Sequence, residues 1–290
     1  MSRRIACLTL DVEADFDDPK GRIRLFEDEA LLSHYVKLIE RTGAKVTAFL
    51  VTSLLDRYGD RYERLRELIP VEFAIHSHAH DLRDPCSRAD IEAAVSAFRG
   101  FTGNDPIGYR APVGKLTREG LETLLDLGFR YDSSIYPSVR PGKWGHNNLH
   151  LSVAPFRITR GAKSIIEVPF ATLSGVRLDF SLSYVKLLGW RAYELLMKAF
   201  PLPDHIAVLT HPYDHYVHRL PYDIGGYEGR LLRRNGSAAF ELLETMLRFL
   251  RKKGYELALL SELCDYLAPT PLRELSIEKV VRERSSAAKA

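Results

Sequence analysis

The chain is poor in cysteine: Cys7, Cys86 and Cys264 are the only three in 290 residues. Their odd number and wide spacing exclude a disulfide framework and a zinc ribbon. Long apolar runs are also missing. No stretch reaches the roughly 18 uncharged apolar residues of a membrane span. The apolar run before Asp11 is about six residues, too short for a secretory leader, so the expected compartment is the cytosol. Charge of one sign is scarce too, with 41 Lys and Arg against 38 Asp and Glu. A surplus of three does not argue for a nucleic-acid partner. No segment repeats at a period of 20–50 residues. The 46% hydrophobic and 27% charged fractions exclude wholesale disorder. A chain this long buries a sizeable core without covalent staples.

What is present is an alternation of strands and helices. Residues 4–12, 45–52, 71–77, 107–111, 129–135, 164–170, 205–210 and 255–260 read as strands. Helical patterns fill 27–42, 60–69, 87–102, 117–127 and 237–252. Ser87 and Thr117 are natural N-caps, and Gly43 and Gly128 are natural stops. Such alternation predicts a parallel α/β sheet or barrel. Residues 137–158 and 212–236 break the rhythm and are expected to be functional loops. Residues 182–200 are apolar but carry Lys186, Arg191 and Lys198. They read as a buried barrel helix, or as a surface resting on a membrane near a lipid-linked sugar. After Ala268 a helix over 270–283 and a frayed tail are expected.

Six of the ten histidines fall in two clusters, His76/His78/His80 and His211/His215/His218. Both follow strands, as do Asp11, Glu13 and Asp15. Sites in parallel α/β folds gather at the carboxyl ends of strands. His76 and His80, at i and i+4, can reach one ion if the strand turns into a helical loop. His78 then lies behind the pair or exposed. Asp11 and Glu13 are two apart on a strand, so their carboxylates share a face. That suits one as base and the other as ligand. The bland alternatives are a surface His-rich turn and an exposed acidic strand end.

With these residues in view, the sequence resembles the polysaccharide deacetylase family (carbohydrate esterase family 4). The family's Thr-Phe-Asp-Asp-Gly is represented by Thr9-Leu10-Asp11-Val12-Glu13. Its His-Ser/Thr-x-x-His is matched by His76-Ser77-His78-Ala79-His80, and its Arg-x-Pro-x-Gly by Arg110-Ala111-Pro112-Val113-Gly114. Asp132-Ser133-Ser134 follows one helix later, and Leu209-Thr210-His211 matches the last motif. Val12 departs from the pattern, since the common motif has a metal-binding Asp there. The chain is similar to branches that read Asp-Val-Asp or Asp-Val-Glu. Glu13 is then the expected carboxylate ligand, with Asp15 the alternative.

The resemblance implies a distorted, TIM-like (β/α) barrel of about seven parallel strands over residues 1–268, with a C-terminal helix and tail at 269–290. It implies a metal-dependent hydrolase removing an N-acetyl or other N-acyl group from an amino sugar in a glycan or glycan precursor. Glu13, His76 and His80 would hold a divalent ion, zinc first and Co, Mn, Fe or Ni as alternatives. Asp11 would be the base and Arg110 would pin it in its charged form. His211 would serve as acid or oxyanion stabiliser, and Asp132 would orient it. Sugar faces could stack on Trp144, Tyr213, Tyr216, Tyr222 or Tyr227. Arg219, Arg230, Arg233 and Arg234 would suit a phosphate or uronate, or simply form a solvated face. Competing readings are hydrolysis of a linear or cyclic non-sugar amide, a non-catalytic glycan-binding relative, and a non-haem iron oxygenase.

Overall fold

The computed structural model describes residues 3–15, 18, 20–142, 145–220, 229 and 232–281. Its strands are β1 (Arg4–Val12), β2 (Val46–Leu50), β3 (Val71–Ile75), β4 (Gly108–Tyr109), β5 (Tyr131–Asp132), β6 (Val139–Arg140), β7 (His146–Asn147), β8 (Phe156–Arg160), β9 (Lys163–Glu167), β10 (His205–Thr210), β11 (Tyr255–Leu257) and β12 (Glu274–Ser276). β1 is buried from Ile5 to Val12, as expected for the centre of a parallel sheet covered on both faces.

The strands run in the order β10-β1-β2-β3-β4-β5-β9-β8-β12. Each neighbouring pair from β10 round to β9 is parallel. Three residues past β9, Phe170 forms a parallel bridge with Ala207 of β10. The Ala171 N–H then donates to the Ala207 carbonyl at 2.8 Å. A single bridge instead of a full ladder thus brings the end of the run back to its start. The result is a mixed α/β fold with a mostly parallel central sheet, as the alternation predicts. β8 is antiparallel to β9, and β12 extends the sheet from β8.

Side-chain parity sorts the strand residues. Ile5 and Cys7 of β1 cluster with Phe49, Ala74, Tyr131, Ile166 and Ala207 inside the ring. Ala6, Leu8, Leu10 and Val12 face outward into the helix layer, with Leu32, Tyr35 and Leu250. Continuing the inward parity of β1 by two and four residues reaches Thr9 and Asp11. Gly108 is required here, because a Cβ would overlap the Tyr131 ring that fills the interior.

Helix Glu29–Thr42 is capped by the Asp28 carboxylate, which accepts from the Ala30 and Leu31 N–H groups, and it ends at left-handed Gly43. Ser87 caps Arg88–Thr102 and Thr117 caps Arg118–Leu127, as the sequence suggests.

Four expectations need correction. Residues 255–260 are not one strand. β11 stops at Leu257, and Leu260–Leu267 is a helix whose start is held by the Glu262 carboxylate accepting from the Leu259 N–H. The apolar run reads equally as strand or helix, and that cap decides. The helix expected at 270–283 is replaced by β12 and the short helix Ile277–Val280. The free edge of β8 offers a ladder there, and Leu275, Ile277 and Val280 pack in its core cluster. Residues 182–200 split at Gly189, with φ 85°, into Leu182–Leu188 and Trp190–Ala199. Residues 137–158 are not wholly irregular, since they contain the β6–β7 pair and the start of β8. Among the described residues no helix is long and apolar enough to cross a membrane.

Candidate active site

The strand ends bring the motif residues together. Glu13 follows β1, His76 follows β3, Arg110 follows β4 and His211 follows β10. The loop from His76 to His80 is not helical. Ser77 and His80 both sit in the left-handed region, with φ 71° and 54°. Conformations that unfavourable for non-glycine residues persist only when their surroundings over-determine them. Here the Asp90 carboxylate accepts the His78 and Ala79 N–H groups, each at 2.8 Å, and Ser77 Oγ accepts the His80 N–H at 3.0 Å. Asp90 lies in the first turn of helix Arg88–Thr102. Read from the sequence alone, it looks like an ordinary helix-start acid. His78 itself turns to Thr52, with Nδ1 and Oγ1 3.0 Å apart.

Glu13, His76 and His80 each place a ligand atom within 4.8 Å of the others. His80 Nε2 lies 2.7 Å from Glu13 Oε2, and His76 Nε2 lies 3.5 Å from it. His76 Nδ1–H donates to the Arg110 carbonyl at 2.9 Å, which leaves Nε2 as the lone-pair nitrogen facing Glu13. Among the described residues His80 Nε2 is buried without a hydrogen-bond partner, despite its short contact with the carboxylate. Two imidazole lone pairs and one carboxylate converging on one point suit a divalent ion such as zinc. Burial alone would raise the Glu13 carboxyl, but His80, His76 and His211 hold it well below the usual carboxylate range. Asp15 is turned away. It accepts from the Tyr216 hydroxyl and from Arg24 Nη1. The carboxylate beside the histidines is therefore Glu13.

Asp11 stands next to this cluster, its Oδ2 3.8 Å from His76 Nε2. Its other oxygen accepts from Arg110 Nη1 at 2.5 Å. The Arg110 guanidinium is wholly buried and also donates to Thr9 Oγ1, the Ser133 carbonyl and Ser133 Oγ, at 2.7–2.8 Å. Its faces pack on Phe49 and Phe170, 4.0 and 4.5 Å from the ring centroids. All three nitrogens of the cation are thus engaged, and Asp11 is held in one orientation.

On the other side, His211 stacks on Tyr213 at 4.8 Å, and the Tyr213 hydroxyl donates to Glu13 Oε1 at 3.0 Å. The carboxylate that meets His211 is Asp214, not Asp132. His211 donates to Asp214 Oδ2 through its backbone N–H at 2.9 Å and through Nδ1–H at 3.3 Å. Burial opposes the charged imidazole, yet Asp214, Glu13 and Asp11 push His211 up to about 9.

Asp132 is fully buried elsewhere. It accepts from Ser134 Oγ at 2.6 Å, and its register partner across the ladder is Glu167. One oxygen of each, Asp132 Oδ2 and Glu167 Oε2, has no donor among the described residues. Burial raises both carboxyls, and Asp132 raises Glu167 further. Between the ordinary carboxylate range and these raised values the folded chain holds a proton that the unfolded chain releases. Stability therefore falls as pH rises through that window. Glu167→Gln removes the titration and offers Asp132 an amide donor. Its melting temperature, relative to the parent, is expected to rise as the pH increases above the ordinary carboxylate range. Parallel melting curves above that range would disprove the proton-sharing pair.

The remaining expected contacts divide. Tyr213 and Tyr216 are buried and bonded to Glu13 and Asp15, so they shape the site wall instead of presenting a stacking face. Arg219 is exposed and donates to His218, and Arg233 donates to the Leu220 carbonyl. Arg234 is exposed. Trp144, Tyr222, Tyr227 and Arg230 lie outside the described residues.

Residues 11–131 match the family model described as polysaccharide deacetylase. A peptidoglycan deacetylase-like protein of Gibberella zeae is 25% identical over 117 residues, 38% of this chain. The match spans 34% of that relative's length, about a third. Among solved structures, a protein of Mycobacterium smegmatis assigned as a polysaccharide deacetylase is similar at TM-score 0.58 and 16% identity, covering 93% of this chain and 94% of that one. A CE4 family pseudoenzyme from Bacillus anthracis is similar at TM-score 0.53 and 13% identity, covering 91% of this chain and 66% of that one. A mutant CE4 pseudoenzyme with restored enzymatic activity has the same TM-score at 14% identity, covering 91% and 68%. At these identities the structures speak to the fold.

Proposed function

We propose that this chain is a polysaccharide deacetylase-type hydrolase, acting on the C–N bond of an N-acyl amino sugar in a glycan or glycan precursor. The observation that carries this reading is one cluster. Glu13, His76 and His80 converge, with Asp11 beside His76 and His211 linked through Tyr213 to Glu13. The donor set fits a divalent ion, zinc in the first place and Co, Mn, Fe or Ni as alternatives. Once bound there, such an ion supplies Lewis acidity for the acyl oxygen and for a water molecule.

The residues of the chain divide the remaining work. Asp11 takes the proton from the attacking water, because its Oδ2 faces the cluster while Oδ1 is tied to Arg110. Arg110 fixes that carboxylate and touches no reacting atom. His211, held protonated by its acidic neighbours, gives a proton to the departing amine nitrogen. Tyr213 bridges the two halves of the site.

The test is exhaustive chelation and metal add-back on the purified chain. The substrates are N-acetylhexosamine oligomers set against small linear and cyclic amides. Acetate release from the sugars is expected to vanish on chelation and to return with zinc. Hydrolysis of the small amides alone, read as acyl release from the linear ones and ring opening of the cyclic ones, would move the function to the non-sugar class. No turnover of any substrate by the zinc-loaded chain would favour the non-catalytic glycan-binding reading.

A further inference from the structure

We propose that Lys186 and Asp214 form a buried positioning pair that sets the tautomer and angle of the His211 ring. This inference rests on the reading of His211 as the proton donor. Lys186 comes from helix Leu182–Leu188 and is wholly buried. A lysine taken out of water is costly unless paired. Its ammonium donates to the Asp214 backbone carbonyl at 2.7 Å and to Asp214 Oδ1 at 3.2 Å. Ser183, one turn earlier on the same helix, donates to the same oxygen at 2.7 Å. Among the described residues Asp214 Oδ2 accepts from His211 alone, once from the backbone N–H and once from Nδ1–H.

The carboxylate is thus gripped on one oxygen by the helix and reads the histidine with the other. It cannot rotate without breaking two bonds to Ser183 and Lys186. With Nδ1–H committed to Asp214, Nε2 is the ring nitrogen left for substrate. Tyr213 holds the ring face. The helix is tied in turn by Asn235, whose Nδ2 donates to the Lys186 carbonyl at 2.7 Å. A buried ion pair of this kind is poorly explained by stability. Apolar side chains of similar volume often serve a core as well or better, and methionine would fill the space of Lys186.

The experiment uses the zinc-loaded full chain and long-range proton–nitrogen NMR of the His211 imidazole, with no substrate present. The spectra are taken above the His211 titration, where the ring keeps a single proton, and the parent is expected to show that proton on Nδ1 through Asp214. In Lys186→Met the signal is expected to shift toward averaging of the two tautomers. kcat for acetate release is expected to fall about ten- to a hundredfold, with KM and zinc content unchanged. Asp214→Asn is expected to lose about 10³- to 10⁴-fold in kcat, as when an orienting carboxylate is replaced by its amide. Ser183→Ala, on a partly exposed residue, gives the same readout if Lys186→Met does not fold, with a smaller shift and a several-fold loss. An unchanged His211 spectrum together with unchanged kcat in the folded variants overturns the proposal. If the parent hydrolyses no N-acyl sugar but the spectra shift as described, the positioning pair stands and the deacetylase reading falls.

Discussion

Asp11→Asn is expected to reduce kcat by about 10²- to 10⁴-fold, the span for loss of a general base, while the protein still binds one equivalent of zinc. The geometry separates the two roles. Asp11 Oδ2 is 3.8 Å from His76 Nε2, whereas Glu13 Oε2 lies 2.7 Å from His80 Nε2 and 3.5 Å from His76 Nε2. Asparagine keeps the shape and can still accept from Arg110 through its amide oxygen. What it loses is the ability to take a proton. Metal analysis of the dialysed variant and single-turnover acetate release are the two measurements. Loss of zinc would make Asp11 a ligand, and full turnover would remove it from the proton-transfer step.

The second large effect is on the fold itself. Arg110→Met is expected to destabilise the chain by about 3–5 kcal/mol, the usual result of removing one partner from a buried ion pair. Asp11 is only 4% exposed, and Arg110 is its only cationic hydrogen-bond donor among the described residues. The Ser133 carbonyl, Ser133 Oγ and Thr9 Oγ1 lose a donor together. Lysine is expected to rescue little, because one ammonium cannot span oxygens from β1 and from the Ser133 segment as the planar guanidinium does. Urea unfolding of the three proteins measures this. A loss below 1 kcal/mol for Arg110→Met would show that water replaces the guanidinium, so that the strand ends are held by their ladders alone.

Much of the site was legible because strands obey a period of two. Asp11 and Glu13 share parity with Ile5 and Cys7, and that parity points into the ring. The His76–His80 pair was legible in its partners but not in its shape. An i, i+4 spacing suggests a helix. The loop instead uses two left-handed residues, and Asp90 holds it open. The role expected of Asp132 did not survive. In the folded chain it faces Glu167, and Asp214 stands where it was expected. The local signal for Asp214 was its place three residues after His211, where its carboxylate accepts the His211 backbone N–H as an N3 acid does at a helix start. Nothing local signals Lys186, which sits in an apolar stretch that reads as a buried helix or a membrane-facing one.

The amino-acid sequence by itself determined the alternation of strands and helices, the caps at Ser87 and Thr117, and which residue types end each strand. These are local properties, set by side-chain periodicity and by backbone groups that need partners nearby. Tertiary structure alone decided who meets whom. Arg110 reaches Asp11 across 99 positions, Tyr213 reaches Glu13 across 200, and Lys186 reaches Asp214 across 28. Those meetings depend on how the ring curves and on the single bridge from Phe170 to Ala207 that returns it to β10. A contact of that kind is set by the packing of seven strands at once, so no short window of sequence contains it.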